Sequence, residues 1–382
     1  MKLRTMPIFF AFFVMGFVDA VGTLVGFAKE EYQLSGFMAG LLPFFGFIAF
    51  ALFSVPGGVL MDKKGKKFLM LLSLAIVLVG EALPALTTGY VMLVGAIFLI
   101  GVGMTLLQVA GNPIMRDVSE EGRFARNLTF AQFIKGLGSI AGPAVAIALV
   151  SRGLPWNSIF SVFGVVVAIT LVAVAFLKVD EKKQDDKPAA SIRSSFALLA
   201  NPYVFTMILG LFLYVGAEVG VNSWIATFLN QKFQFDLGSL ATGGIAFFFV
   251  ALSIGRLIGS AVLNFMSARQ FLLVTAALSV VGTLGIMLGS KEVAVASIFV
   301  TGLGFGNVFP LIFSMLIDKM PERSAELSGL LCMAIAGGAV MPLVMGAVND
   351  AFSSVTAAMA VPFVSCLYIL YLGLRAAREA KA

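Results

Sequence analysis

GVLMDKKGKK, residues 58–67, packs four lysines and one aspartate into its last six positions, between two long apolar runs. Those runs, 36–61 and 67–87, are each of a length to cross a bilayer, which takes about 20 mostly apolar residues for a roughly 30 Å core. Lysines clustered between two such runs mark a short loop held on one side of the membrane. Ten further runs extend outward from this loop: 6–28, 90–115, 127–150, 155–178, 202–229, 238–266, 270–289, 292–317, 325–349 and 353–375. The composition agrees, at 60% hydrophobic and 12% charged residues, because a soluble domain needs more polar surface than this. The runs are glycine-rich and do not alternate, so they read as helices packing through small residues, not as barrel strands. The predicted fold is an all-α membrane protein with twelve transmembrane helices.

Charge fixes the expected orientation. With both termini inside, the inner segments hold 20 of the 26 Lys and Arg. The outer loops hold four: Lys29, Arg152, Lys232 and Lys291. Lys135 and Arg256 lie within helices. This is a strong positive-inside bias. The net charge of +6 therefore reports orientation and not nucleic-acid binding, for which no basic and aromatic patch is present. The first apolar run reads as a span and not as a removable leader, since it continues past Asp19 and takes part in an internal repeat. The chain has no histidine, and Cys332 and Cys366 have no metal-ligand spacing. No metal site and no Ser-His-Asp chemistry are expected, and any proton carrier must be a carboxylate or a lysine.

The one long polar stretch, KVDEKKQDDKPAASIRSS at 178–195, divides the chain into six helices and six helices. The expected division is 1–178 for one half, 179–200 for a cytoplasmic linker and 201–382 for the other half. The halves resemble each other at a steady offset. GFVDAVG at 16–22 matches VGAEVGV at 215–221, which sets Asp19 against Glu218. GVGMTLLQ at 101–108 matches GLGFGNVF at 302–309, and GSIAGP at 138–143 matches GGAVMP at 337–342. GVLMDKKGKK itself matches GSAVLNFMSAR, which starts at Gly259. An even number of helices per half gives both halves the same orientation, the parallel-repeat plan whose substrate site lies near the midplane.

Gly58 to Lys67 resembles the signature loop of the major facilitator superfamily, G-x-x-x-D-[RK]-x-G-[RK]-[RK], at every fixed position. That resemblance implies a gating role for Asp62, as acceptor for a facing helix N-terminus or for an Arg of the other half. LQVAGNP (107–113), YVGAEVGVNSW (214–224) and SGLLCMAIAGGAVMP (328–342) resemble, more narrowly, the fucose–galactose–glucose:proton symporter family. The resemblance covers essentially the whole chain. It implies uptake of a hexose-like solute driven by protons or, in some relatives, by sodium. Those symporters usually carry a Glu where this chain has Gln108, an Asn-Asp pair at Gly22 and Thr23, and an Asn at Lys135.

Ionisable residues deep in a span are costly and by default face a cavity or a partner. Asp19 and Glu218 are the candidate proton-coupling residues. Lys135 has three readings: a structural partner of Asp19, the binding charge for an anionic substrate, or a side chain that snorkels to the inner surface. Glu218, Asn222 and Gln108 suit sugar hydroxyls, and Trp224 suits the apolar face of a pyranose. The bland alternative is that Asn222 and Gln108 only join helices. Gln132 shares a helix face with Lys135, and Asn112 precedes the helix break at Pro113. Asn307 reaches substrate or merely packs. Arg256 reads as structural or gating, bridging the halves near the inner side. Glu81 lies near the outer end of its helix and reads as hydrated by outer water. GLGFG at 302–306 reads as close helix packing and not as a nucleotide loop, since no strand precedes it.

The sequence-based expectation is a transporter working by alternating access on a sugar or, given Lys135, an anionic sugar such as a sugar acid. No cofactor is expected beyond a coupling ion, proton before sodium. The expected partners are a small solute and the lipid bilayer, with the chain a monomer in a bacterial inner membrane. The rivals are an exporter of amphipathic drugs and a non-transporting membrane sensor on the same scaffold.

Overall fold

A computed structural model describes residues 6–17, 21–86, 89–177, 190–235 and 237–379. All regular structure among them is helical. The helices are α1 (Met6–Met15), α2 (Val21–Glu31), α3 (Gly36–Lys64), α4 (Lys66–Leu86), α5 (Tyr90–Asp117), α6 (Phe124–Val150) and α7 (Ser158–Ala175). They continue as α8 (Ile192–Ala197), α9 (Pro202–Phe233), α10 (Leu237–Val262), α11 (Ala268–Leu288) and α12 (Lys291–Lys319). The last are α13 (Ser324–Met333), α14 (Gly337–Phe352) and α15 (Val355–Glu379). Ten stretches among the described residues are long and apolar enough to cross a membrane, with shorter apolar helices at Met6–Met15 and Phe247–Val262. Every one of the twelve runs thus appears as helix.

The ends follow from local chemistry. Ser35 caps α3 by accepting from the Met38 amide at 3.2 Å. Gly65, at φ 94°, ends the same helix within the lysine loop, in a conformation that costs glycine nothing. Asn201 caps α9 and is followed by Pro202, whose missing N–H is no loss in a first turn. Ser267 and Gln270 form a capping box on α11.

Two runs differ from the expectation of single helices. The first run is carried by α1 and α2, with 18–20 outside the described residues. The eleventh is interrupted by a 3-10 turn at Ala334–Ala336, between α13 and α14. Next to it, a Cβ on Gly337 would strike the carbonyl of Phe212 in α9, so backbone packs against backbone there. Gly138 makes the same approach to Phe13 while α6 stays α-helical, so the crossing alone does not set the break. The polar stretch also holds a short helix that the sequence pattern did not predict, α8, where Ser191 and Ser194 exchange hydrogen bonds through their amides and hydroxyls.

The described chain forms two compact units. One comprises 1–120, 134–196 and 320–333, and the other 121–133, 197–319 and 334–382. In the first, α4 packs on α5 and α7, and α3 packs on α5 and α13. In the second, α11 packs on α12 and α15, α10 on α12, and α9 on α15 and α14. α5 and α12 begin 201 residues apart in the repeat, and each is buried over most of its length.

Candidate functional site

Lys135 lies on α6, half-buried, one turn before a close helix crossing. A Cβ on Gly16 would meet the carbonyl of Lys135 itself, and one on Gly138 would meet that of Phe13. α1 and α6 therefore touch through bare backbone beside the lysine. Its Nζ donates to Oε1 of Gln108 on α5 at 3.3 Å, and Gln108 is buried. One turn further along α5, Asn112 is fully buried. α13 closes this cluster. Ser328 Oγ donates to the Val109 carbonyl at 2.7 Å. The side chains of Ser328 and Asn112 reach the Cys332 sulfur, and the Lys135 charge acts on it. The first unit thus gathers Lys135, Gln108, Asn112, Ser328 and Cys332. Asp19 lies outside the described residues. Gly22 and Thr23 are within α2.

Glu218 sits in the second unit, on α9, with its side chain 19% exposed. Tyr214, one turn earlier, donates its hydroxyl to Glu218 Oε2 and to the Phe305 carbonyl, the latter at 2.8 Å. Arg256 on α10 is buried, and its Nη2 stands 3.9 Å from Glu218 Oε1. The same guanidinium donates through Nε to the Gly306 carbonyl and through Nη1 to the Gln132 carbonyl, each at 3.2 Å. It also comes within hydrogen-bonding reach of the Tyr214 oxygen. The Gln132 side chain is buried on α6.

The remaining candidates fall apart from these clusters. Asn222, one turn after Glu218, has its Oδ1 buried without a hydrogen-bond partner. Trp224 is half-buried, with its ring against Gly346 of α14. Asn307 donates to the Gly255 carbonyl at 2.9 Å, and its amide stands where a side chain on Gly259 would be. That amide ties α12 to α10. Asp62 is exposed and accepts from the Ala190 amide at 2.8 Å, so among the described residues its partner is the linker backbone. Beside it, Lys66 pairs with Asp117, and Lys67 donates to the Ala175 carbonyl at the end of α7.

Glu81 corrects the expectation of hydration. It is 2% exposed, with Oε2 buried and without a partner. Gly164 of α7 faces the Glu81 Cβ, and the packing of α7 on α4 covers the residue. Tyr214, Ser328 and Cys332 are the residues that sequence reasoning passed over. The available signal was spacing: Tyr214 precedes Glu218 by four residues, and Ser328 precedes Cys332 by four, one face of a helix in each case.

Comparison with known proteins agrees with this architecture. Residues 8–342 match the Major Facilitator Superfamily, and the chain belongs to that family of membrane transporters. It is an integral, multi-pass membrane protein of a class that carries small solutes and is not enzymatic. A glucose/galactose transporter of Brucella abortus is 29% identical over 378 residues, covering 95% of this chain and 91% of that protein. A putative glucose/galactose transporter of Helicobacter pylori is 29% identical over 399 residues, covering 96% and 95%. The solved Escherichia coli fucose:proton symporter has the same fold, with a TM-score of 0.85 at 19% identity over 98% of this chain and 99% of that one.

Proposed function

We propose that this chain is a proton-driven symporter for a small hydroxylated solute of hexose size that bears a negative charge, as a sugar acid does. The sugar part is supported by the names of the relatives, glucose/galactose transporters among them. The charge is carried by one observation: Lys135 Nζ bonds the neutral Gln108 amide. An ammonium has three donors, and that bond engages one. A substrate carboxylate is the natural acceptor for the others, and a charge-assisted bond is about twice as strong as a neutral one. Gln108 and Asn112 supply neutral polar groups beside Lys135.

Glu218 is the proposed proton carrier, together with Asp19, since each is a carboxylate in an apolar span and the repeat aligns them. In this reading substrate carboxylate engages Lys135 while a proton neutralises a carboxylate, and the loaded carrier reverses its access. The transporter acts as a monomer in a bacterial inner membrane, with both termini cytoplasmic, as the loop charges require.

The test is thermal stabilisation of the purified full-length protein by D-galacturonate beside D-galactose, at two pH values. A ligand of the folded state raises the melting temperature by mass action. Stabilisation by the acid alone supports the proposal. Stabilisation by the neutral sugar alone overturns the charged substrate and assigns Lys135 to the protein's own carboxylate.

A further inference from the structure

The second unit holds a three-residue arrangement that the transport reading does not require and that its geometry makes specific. Glu218 is not a solitary carboxylate. One oxygen accepts the Tyr214 hydroxyl, and the other faces the Arg256 guanidinium at 3.9 Å. Arg256 has further partners in turn. Its Nε goes to the Gly306 carbonyl of α12 and its Nη1 to the Gln132 carbonyl of α6. Gln132 belongs to the N-terminal half of the sequence. Four helices therefore meet at one buried cation, and the carboxylate is the one partner there whose charge can change. The other partners are two carbonyl dipoles and the Tyr214 oxygen.

Buried charges are held by partners, and an unpaired buried cation is costly. Protonating Glu218 removes the ionic attraction on Nη2 and leaves the guanidinium with neutral partners alone. We infer that Tyr214 and Arg256 are positioning residues for Glu218, and that its protonation loosens the Arg256 bond to Gln132. The inference rests on the proposal that Glu218 carries the coupling proton, and gives that proton a structural consequence. It also explains why α9 spends a tyrosine in a fully buried position: its ring packs edge-on to Phe305 while its hydroxyl serves the carboxylate.

The groups around Glu218 are few. Its own helix brings Tyr214, and α10 brings Arg256. α12 brings the carbonyls of Phe305 and Gly306, with its charged residues at its two ends. α14 carries Asp350, near its C-terminal end. α15 carries Tyr368, Tyr371, Arg375 and Arg378, and Tyr368 donates to the carbonyl of Thr206, twelve residues before Glu218 on α9. That leaves the triad as the titrating unit among the described residues.

The test reads the α6 contact directly. Thr129 is fully buried on α6, one turn before Gln132. A Thr129→Cys reporter in a Cys332→Ser, Cys366→Ser background is alkylated with N-ethylmaleimide across pH 5.5–8, using purified full-length protein. Rates are taken relative to the same reporter carrying Glu218→Gln, which cancels thiol ionisation. The relative rate should rise at least threefold as pH falls with Glu218 intact. Tyr214→Phe removes a donor to the carboxylate without changing shape, and the rise should move toward higher pH. Arg256→Gln, or Arg256→Lys where the former does not fold, should give a fast rate at every pH. In the Glu218→Gln background, Tyr214→Phe should change nothing. A rate independent of pH, or a Tyr214→Phe effect of equal size with and without Glu218, overturns the inference. Proton-driven uptake of D-galacturonate and D-galactose by Glu218→Gln separates the two proposals. Accumulation retained in that variant while the reporter still responds to pH would remove the coupling role and leave the triad standing.

Discussion

Gly16 and Gly138 bring α1 and α6 together through bare backbone, and Gly216 and Gly337 do the same for α9 and α14 at offsets of 200 and 199 residues. The crossings correspond, but the chemistry attached to them does not. Beside the first stands Lys135, bonded to an amide of α5. At the corresponding place beside the second, 199 residues on, stands Ala334 in the 3-10 turn. The second half instead places its charge on the other helix of the crossing, where Glu218, two residues after Gly216, meets Tyr214 and Arg256. The position in the first half that aligns with Arg256 at the signature-loop offset of 201 is Val55. Backbone geometry is thus repeated, while Lys135 and Arg256 have no ionisable counterpart at the repeat offset. Small residues at a crossing are demanded by packing in both halves. Charges are demanded by solute and ion, and a single solute does not present the same face to both.

The sharpest way to break this comparison is to fill the crossings. Gly138→Val and Gly337→Val should each cost about 3 kcal/mol, the upper part of the usual range for overpacking. Thermal unfolding of the purified protein measures it. A chain that tolerates one substitution and not the other would show that the crossings are not equivalent. Next comes the foot of α13. Glu326 is buried, accepts from Arg323 and takes the Ser194 hydroxyl at 2.5 Å. Glu326→Gln should cost about 2 kcal/mol, because it removes the buried charge that the partly exposed Arg323 and the Ser194 hydroxyl both bond. Its counterpart 200 residues earlier, Arg126, reaches Asn264 at 3.1 Å at a more exposed place, and Arg126→Gln should cost under about 1 kcal/mol by the same melt.

Lys135→Gln tests the chemistry directly. Affinity for D-galacturonate should fall about tenfold, roughly 1.4 kcal/mol, while any binding of D-galactose is unchanged. Titration calorimetry or ligand-induced melting shifts would read it, and an equal loss for both sugars would deny Lys135 a charge-selective role. The smallest effect belongs to the lysine loop. Lys66 and Asp117 form a partly exposed pair, and Asp117→Asn should shift stability by about 0.5 kcal/mol or less. A larger shift would mean that this loop does more for the first half than its counterpart, the turn closed by Ser267 and Gln270, does for the second.

The helices were legible because span length and hydropathy are local properties. The break at Ala334–Ala336 was not, since alanine and isoleucine carry no local signal to end a helix. Lys135 and Glu218 were legible as charges in apolar surroundings, which physics makes expensive. Their partners were not. Tyr214 reads as one more aromatic in an aromatic-rich chain until Phe305 and Glu218 are seen on either side of its hydroxyl. Glu81 was misjudged because distance to the helix end was taken for access to water. The packing of α7 against α4 decides that question, and nothing near Glu81 in sequence announces it. Asn307 was open between binding and packing, and the absence of a side chain at Gly259 is what draws its amide against α10.

The two cysteines give this protein a chemical clock of its own. Both thiols are fully buried. Cys332 lies in the cluster around Lys135, while Cys366 lies on α15 beside Thr283 of α11. An alkylating reagent reaches neither in the described state. The rate at which Cys332 reacts therefore counts openings of the lysine cluster, and the rate at Cys366 counts general loosening of the fold. Their ratio, followed in the unmodified chain with and without solute, separates a working motion from simple instability before a single residue is changed.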